Sequence, residues 1–135
     1  RAMLILAATK SQGMTIDRIT ASDFMTQYGS DFGISEHNLH GINHFNFSEL
    51  TTKRSLCSDG VKSFVLDGLI SVKRGKNGFS YSLTSSGKKY VGRLESDYKT
   101  QYTATVTDIH KKYARQTDTV LMKIINDTAI KALRR

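Results

Sequence analysis

A chain of 135 residues with 39% apolar and 24% charged side chains has room for one core of ordinary size plus an extension, and it holds no apolar run near the roughly 18 residues a membrane helix needs. The lone Cys57 excludes an internal disulfide and points to a reducing, cytoplasmic setting, while the absence of proline suits a mostly helical fold. The net charge of +8 is uneven: residues 1–68 carry six Lys/Arg against seven Asp/Glu, a balance of −1, and residues 69–135 carry fourteen against five, a balance of +9. A DNA reader working mainly through a helix in the first half would concentrate cations there, and this chain does not.

No signal peptide is visible, and a chain opening on Arg1 rather than Met is expected to have its true N-terminus upstream. Residues 2–11 are apolar, good helix formers that stop at Gln12-Gly13, which predicts a short helix. Ile16, Ile19, Phe24 and Tyr28 recur at near-helical spacing and predict a second helix over 15–28, without a capping box at Ser22. Residues 35–46 gather polar amide and imidazole groups around Gly41 and are expected to be an irregular connection.

A third helix is predicted over 47–67, with Leu56, Val61, Phe64 and Val65 on one face, a cap at Ser48 or Thr51, and a stop at Asp67-Gly68. Gly60 in its middle costs roughly 1 kcal/mol relative to alanine, so it is expected to mark close packing or a break. From Leu69 to Gly87 the pattern changes to period two: Ile70 and Val72, then Phe79, Tyr81 and Leu83, joined by Arg74-Gly75-Lys76-Asn77-Gly78. That is a β-hairpin with one apolar face and a cationic tip. Flanked by helices, it reads as the wing of a winged helix-turn-helix domain over 1–87, with the wing at 69–84 and the third helix in the recognition place.

Residues 88–113 carry Val91, Leu94, Tyr98, Tyr102, Thr105, Ile109 and Tyr113 at intervals of three or four, which predicts one long amphipathic helix. Such a helix exceeds what one small domain covers, so part of the stripe, at Tyr98, Tyr102 and Tyr113, is expected to meet another chain. After a break at 115–119, a last helix presents Leu121, Ile124, Ile125, Thr128 and Leu133 on one face. Residues 88–135 are therefore expected to be a C-terminal helical extension for partner binding, completing a mainly α fold with one small hairpin.

Catalytic patterns are weak. His37, His40 and His44, with Glu36 or His110, lie close enough in sequence to suggest zinc, but their spacing matches no zinc pattern, and no metal or cofactor is expected. Cys57 lacks an activating neighbour and is expected to be a small buried apolar group. Gly29-Ser30-Asp31-Phe32-Gly33 lacks the lysine and hydroxyl of a phosphate loop, and no paired carboxylates stand out, so an enzyme is not expected. Phosphate contact is expected at Lys73, Arg74 and Lys76, with Lys111, Lys112 and Arg115 further along; base-reading side chains are scarce on the third helix, so the contact should be non-sequence-specific.

Leu39-His40-Gly41 followed by Asn43, Phe47 and Glu49-Leu50, then Gly68-Leu69-Ile70, the hairpin, and the run from Tyr81 to Gly87, resembles the middle component of bacterial ABC-three-component systems over about residues 1–113. The resemblance implies a non-catalytic winged-helix adaptor that sits on an SMC-like ABC ATPase and holds an effector, often a nuclease, as in Lamassu-type anti-phage and anti-plasmid defence. His37, Leu39, His40 and His44 would then belong to a docking element. The rival expectation is a dimeric transcription regulator of the MarR or PadR kind, with the long helix forming the dimer. A zinc-dependent enzyme is a weaker third.

Overall fold

The computed structural model describes residues 1–9, 13–28, 47–76 and 78–133, and among these the chain forms six helices and one two-stranded antiparallel sheet. The helices are α1 (Ala2–Thr9), α2 (Ile16–Gln27), α3 (Phe47–Leu66), α4 (Ser85–Arg93), α5 (Asp97–Tyr113) and α6 (Asp118–Leu133); the strands are β1 (Ile70–Gly75) and β2 (Gly78–Leu83).

α1 is apolar on nearly every side, and Met3, Leu4, Ile5 and Leu6 are all buried, as expected for a helix enclosed by others. α2 lies at the centre. Thr15 supplies its N-cap, accepting from the Arg18 amide. One side of α2 delivers Ile19 to a cluster with α1, Met14, Val61, Ile70, Tyr81, Val91, Tyr102 and Val106. The other side delivers Ala21, Phe24, Met25 and Tyr28 to a second cluster with Ile109, Leu121 and Ile125. Leu121 and Ile125 are fully buried there, each worth about 1.5–3 kcal/mol of apolar burial, which holds α6 against α2.

α3 runs unbroken through Gly60, and a β-carbon at Gly60 would meet nothing within 4 Å, so neither close packing nor a break explains this glycine. The helix ends as Asp67-Gly68 predicts. Gly68 adopts φ 77°, its amide donates to Val65, and the Leu69 amide reaches back to the Phe64 carbonyl, closing the last turn. Leu69 and Phe64 both pack on the first cluster.

In the hairpin, Ile70 faces Leu83, Val72 faces Tyr81, Lys73 faces Ser80, Arg74 faces Phe79 and Gly75 faces Gly78. The strands therefore extend further into the expected loop, and Lys76 begins the turn. Tyr81 also exchanges both backbone hydrogen bonds with Met14, which adds a single bridge from the α1–α2 connection to the free edge of β2. The expected buried face is only half buried. Ile70 and Tyr81 are in the core, but Val72 and Phe79 are 46% and 56% exposed, because the outer half of the ribbon projects past the elements that cover its base.

Two residues of the run after the hairpin fix its junction with the next helix. Thr84 caps α4: its hydroxyl accepts from the Gly87 amide and donates to the Gly68 carbonyl, so one side chain joins the end of α3 to the start of α4. Gly87 passes so close to the Leu69 carbonyl that a β-carbon would sit 2.1 Å from its oxygen.

The single helix expected over 88–113 is two. α4 stops at Leu94, whose amide donates to Val91, and Ser96 caps α5 by accepting from the Lys99 amide. The Lys99 ammonium then donates to the Val91 and Leu94 carbonyls, satisfying the end of α4. The break turns α5 back across α1 and α2, where Tyr102, Val106 and Ile109 are buried.

Candidate partner and nucleic-acid surfaces

Lys73, Arg74 and Lys76 are all exposed, and none has an acidic partner among the described residues. Strand alternation divides them. Arg74, opposite Phe79, belongs to the apolar face with Val72 and Tyr81; Lys73, opposite Ser80, belongs to a hydroxyl face where Ser71 and Ser82 lie 3.1 Å apart. The cations expected at one tip thus serve two faces, with Lys76 at the turn between them.

Lys111, Lys112 and Arg115 sit at the C-terminal end of α5 and in the turn beyond it, all exposed, where positive charge complements the helix dipole. The Lys112 ammonium lies 5.4 Å from the centre of the Tyr113 ring. That turn is pinned by Arg18, which donates to the Tyr113 and Gln116 carbonyls and pairs with Asp118 at 2.9 Å. Thr15 also donates to Asp118, and its neighbour Met14 bridges to β2, so a short chain of contacts runs from the end of α5 to the hairpin.

The sequence reading missed a third cationic group. Lys88, Lys89 and Arg93 are exposed on α4, whose first turn holds no acid, while Gly87 and Val91 turn inward. The spacing of the two buried residues, four apart, was the available signal. Three cations of the first half have partners: Arg1 pairs with Asp23 at 3.0 Å, Arg54 with Asp17 at 2.6 Å, and Lys53 donates to Gln27 at 2.9 Å.

The tyrosine stripe is corrected at Tyr102. It is fully buried, stacked beside Tyr98 with ring centres 5.7 Å apart, and its hydroxyl donates to Asp23, because the break at 94–96 folds α5 onto the chain's own core. Tyr98 remains 38% exposed, and Tyr113 is half-buried against the second cluster. His37, Leu39, His40 and His44 lie outside the described residues. His110 is partly buried, and burial followed by the nearby Arg18 charge lowers its pKa. Among the described residues no three His, Cys, Asp or Glu side chains gather as metal ligands.

Cys57 lines a cleft of about 350 Å³ between α1, α2 and α3 together with Arg1, Asp23, Lys53 and Gly60. It is half-buried rather than fully buried, and burial pushes its thiol pKa up, which disfavours the thiolate. Asp23, at the cleft's inner wall, accepts from Tyr102 and from Gln27 at 2.8 Å.

Fold and surface together define a mainly helical, hairpin-bearing protein whose second half presents most of its described cations to solvent. The chain matches, over residues 1–135, the family model described as ABC-three component (ABC-3C) system Middle Component 2, and it belongs to that family. Membership implies a partner subunit of a multi-component system. No curated protein and no solved structure matches the chain. No helix among the described residues is long and apolar enough to cross a membrane.

Proposed function

We propose that this chain is a non-catalytic winged-helix adaptor in an SMC-like ABC ATPase defence complex of the Lamassu kind, bridging the ATPase and an effector nuclease in the cytoplasm and touching DNA through its backbone phosphates. The observation that carries the reading is the family match along the whole chain to a middle component. The winged-helix part is supported by the element order α1, Met14 bridge, α2, α3, β1, β2, in which the hairpin is extended on its β2 edge by the segment before α2.

DNA contact is supported by the exposed cations from the hairpin onward, at Lys73, Arg74 and Lys76, on α4, and at Lys111, Lys112 and Arg115. Non-specific contact fits α3, which carries no Asn or Gln and whose one arginine, Arg54, is paired with Asp17. The regulator alternative loses its expected dimer helix, since α5 spends its apolar face on α1 and α2. Co-expression with the ATPase and effector encoded beside it tests the reading: the three are expected to purify together, and a chain that purifies alone from all such mixtures sinks it.

A further inference from the structure

Three large apolar side chains stand open on one face. Leu66, in the last turn of α3, is 88% exposed, and beside it are Phe79 and Val72 on the outer hairpin. With Val65, Tyr81 and Lys62 they line one open groove of about 420 Å³. Single exposed apolar residues are ordinary, but a contiguous set between two elements marks a surface that another molecule covers.

The groove is built rather than incidental. One wall is α3, whose end is fixed by the Gly68 and Leu69 amides, and the other is the hairpin, fixed at its base by Met14 and Thr84. Its charge leans positive as well. Lys62 lines it, Arg74 is the next side chain outward on the Phe79 face, and Lys76 follows at the turn, against Asp67 beside Leu66 and Asp59 one turn before Lys62 on α3. A nucleic acid would satisfy the cations but leave Leu66 and Phe79 against phosphate and water. A protein segment satisfies both.

We infer that this groove docks a segment of a partner subunit that presents two or three large apolar side chains flanked by Asp or Glu. The inference rests on the partner-subunit reading above and adds the face used and the chemistry of what fills it.

The test uses the full chain co-expressed with the ATPase and effector encoded beside it, unaltered and as the Leu66→Ser/Phe79→Ser and Lys62→Gln/Arg74→Gln double variants. Subunit affinity is read alongside affinity for a random-sequence DNA duplex, and thermal midpoints check folding. Amide exchange at Leu66, Val72 and Phe79 in the unaltered chain gives a readout that needs no variant. Expected are slower exchange at those amides on adding a subunit, an affinity about tenfold or more weaker for Leu66→Ser/Phe79→Ser with duplex affinity unchanged, and a loss for Lys62→Gln/Arg74→Gln that shrinks as salt rises.

Equal retention of subunits by the unaltered chain and Leu66→Ser/Phe79→Ser, with no change in exchange, overturns the groove while leaving the subunit reading intact. Retention of no subunit by the unaltered chain overturns both. Lost duplex affinity with intact subunit retention makes this a nucleic-acid face instead, and no salt-dependent loss from Lys62→Gln/Arg74→Gln removes the acidic character assigned to the partner.

Discussion

The hydroxyl of Tyr102 donates to the carboxylate of Asp23, tying the middle of α5 to the middle of α2 inside the core. Asp23 also pairs with Arg1 and accepts from Gln27, so its charge is buried with three partners. This link, with the break at 94–96, makes α5 part of the chain's own fold.

Burial, and then the Asp23 charge, raise the Tyr102 pKa well above the ordinary tyrosine value near 10. A pKa higher in the folded than in the unfolded state means that the folded chain holds this proton more tightly. Its contribution is complete below about pH 10 and is lost as pH climbs from there toward the folded value. Urea unfolding should therefore show stability falling above about pH 10, with a shallower fall in Tyr102→Phe. At pH 7 the same substitution should cost about 1–3 kcal/mol, since a buried carboxylate loses a donor. Parallel alkaline slopes for the two proteins would remove this account of Tyr102.

At the base of the hairpin, Thr84→Ala should cost about 1 kcal/mol, the usual value of a helix N-cap. Gly87→Ala should cost more, toward the upper end of about 1–3 kcal/mol, because the new methyl meets the Leu69 carbonyl and α4 must shift. Chemical denaturation of both variants checks the order. A Gly87→Ala protein as stable as the parent would mean that α4 does not pass this close to the hairpin.

Gly60 is the opposite case. Its surroundings leave open space for a methyl group, so Gly60→Ala should stabilise the isolated chain by about 0.5–1 kcal/mol. Destabilisation in the same denaturation measurement would show that the cleft beside Cys57 is narrower than described.

Neutralising Lys73, Arg74 and Lys76 to glutamine should leave the thermal midpoint near its original value, because all three are exposed and none is ion-paired among the described residues. Duplex affinity should fall uniformly across sequences, and the slope of log affinity against log salt should flatten by about 1 for each phosphate contact removed. Because Lys73 and Arg74 face opposite ways, single variants should lose unequal amounts. An unchanged slope in the triple variant would return the hairpin cations to plain solvation.

Much of this fold was legible because its signals are local. The change from a helical to an alternating period at Leu69, and the Asp67-Gly68 stop, located the hairpin and the end of α3 from neighbouring residues alone. The break before α5 was harder. The stripe continues through Val91, Leu94 and Tyr98 as if the helix did, and only the Ser96-Asp97 cap signal betrays the turn. Tyr102 was misplaced for the same reason, since an amphipathic face does not state whether it packs on its own chain or another. The apolar groove was hidden because period two gives Val72 and Phe79 the same face as Ile70 and Tyr81; how far the neighbouring elements extend along the ribbon decides which of them is covered. The charge division did find the cationic half, but strand parity, which separates Lys73 from Arg74, had to be applied to see two faces.

A partner subunit and a free-standing regulator differ in the mass of what each forms. Light scattering on the chain purified after co-expression with its neighbouring ATPase and effector should give one defined particle containing all three. A homodimer of this chain alone, retaining neither subunit and shifting a single palindromic operator, would contradict the account.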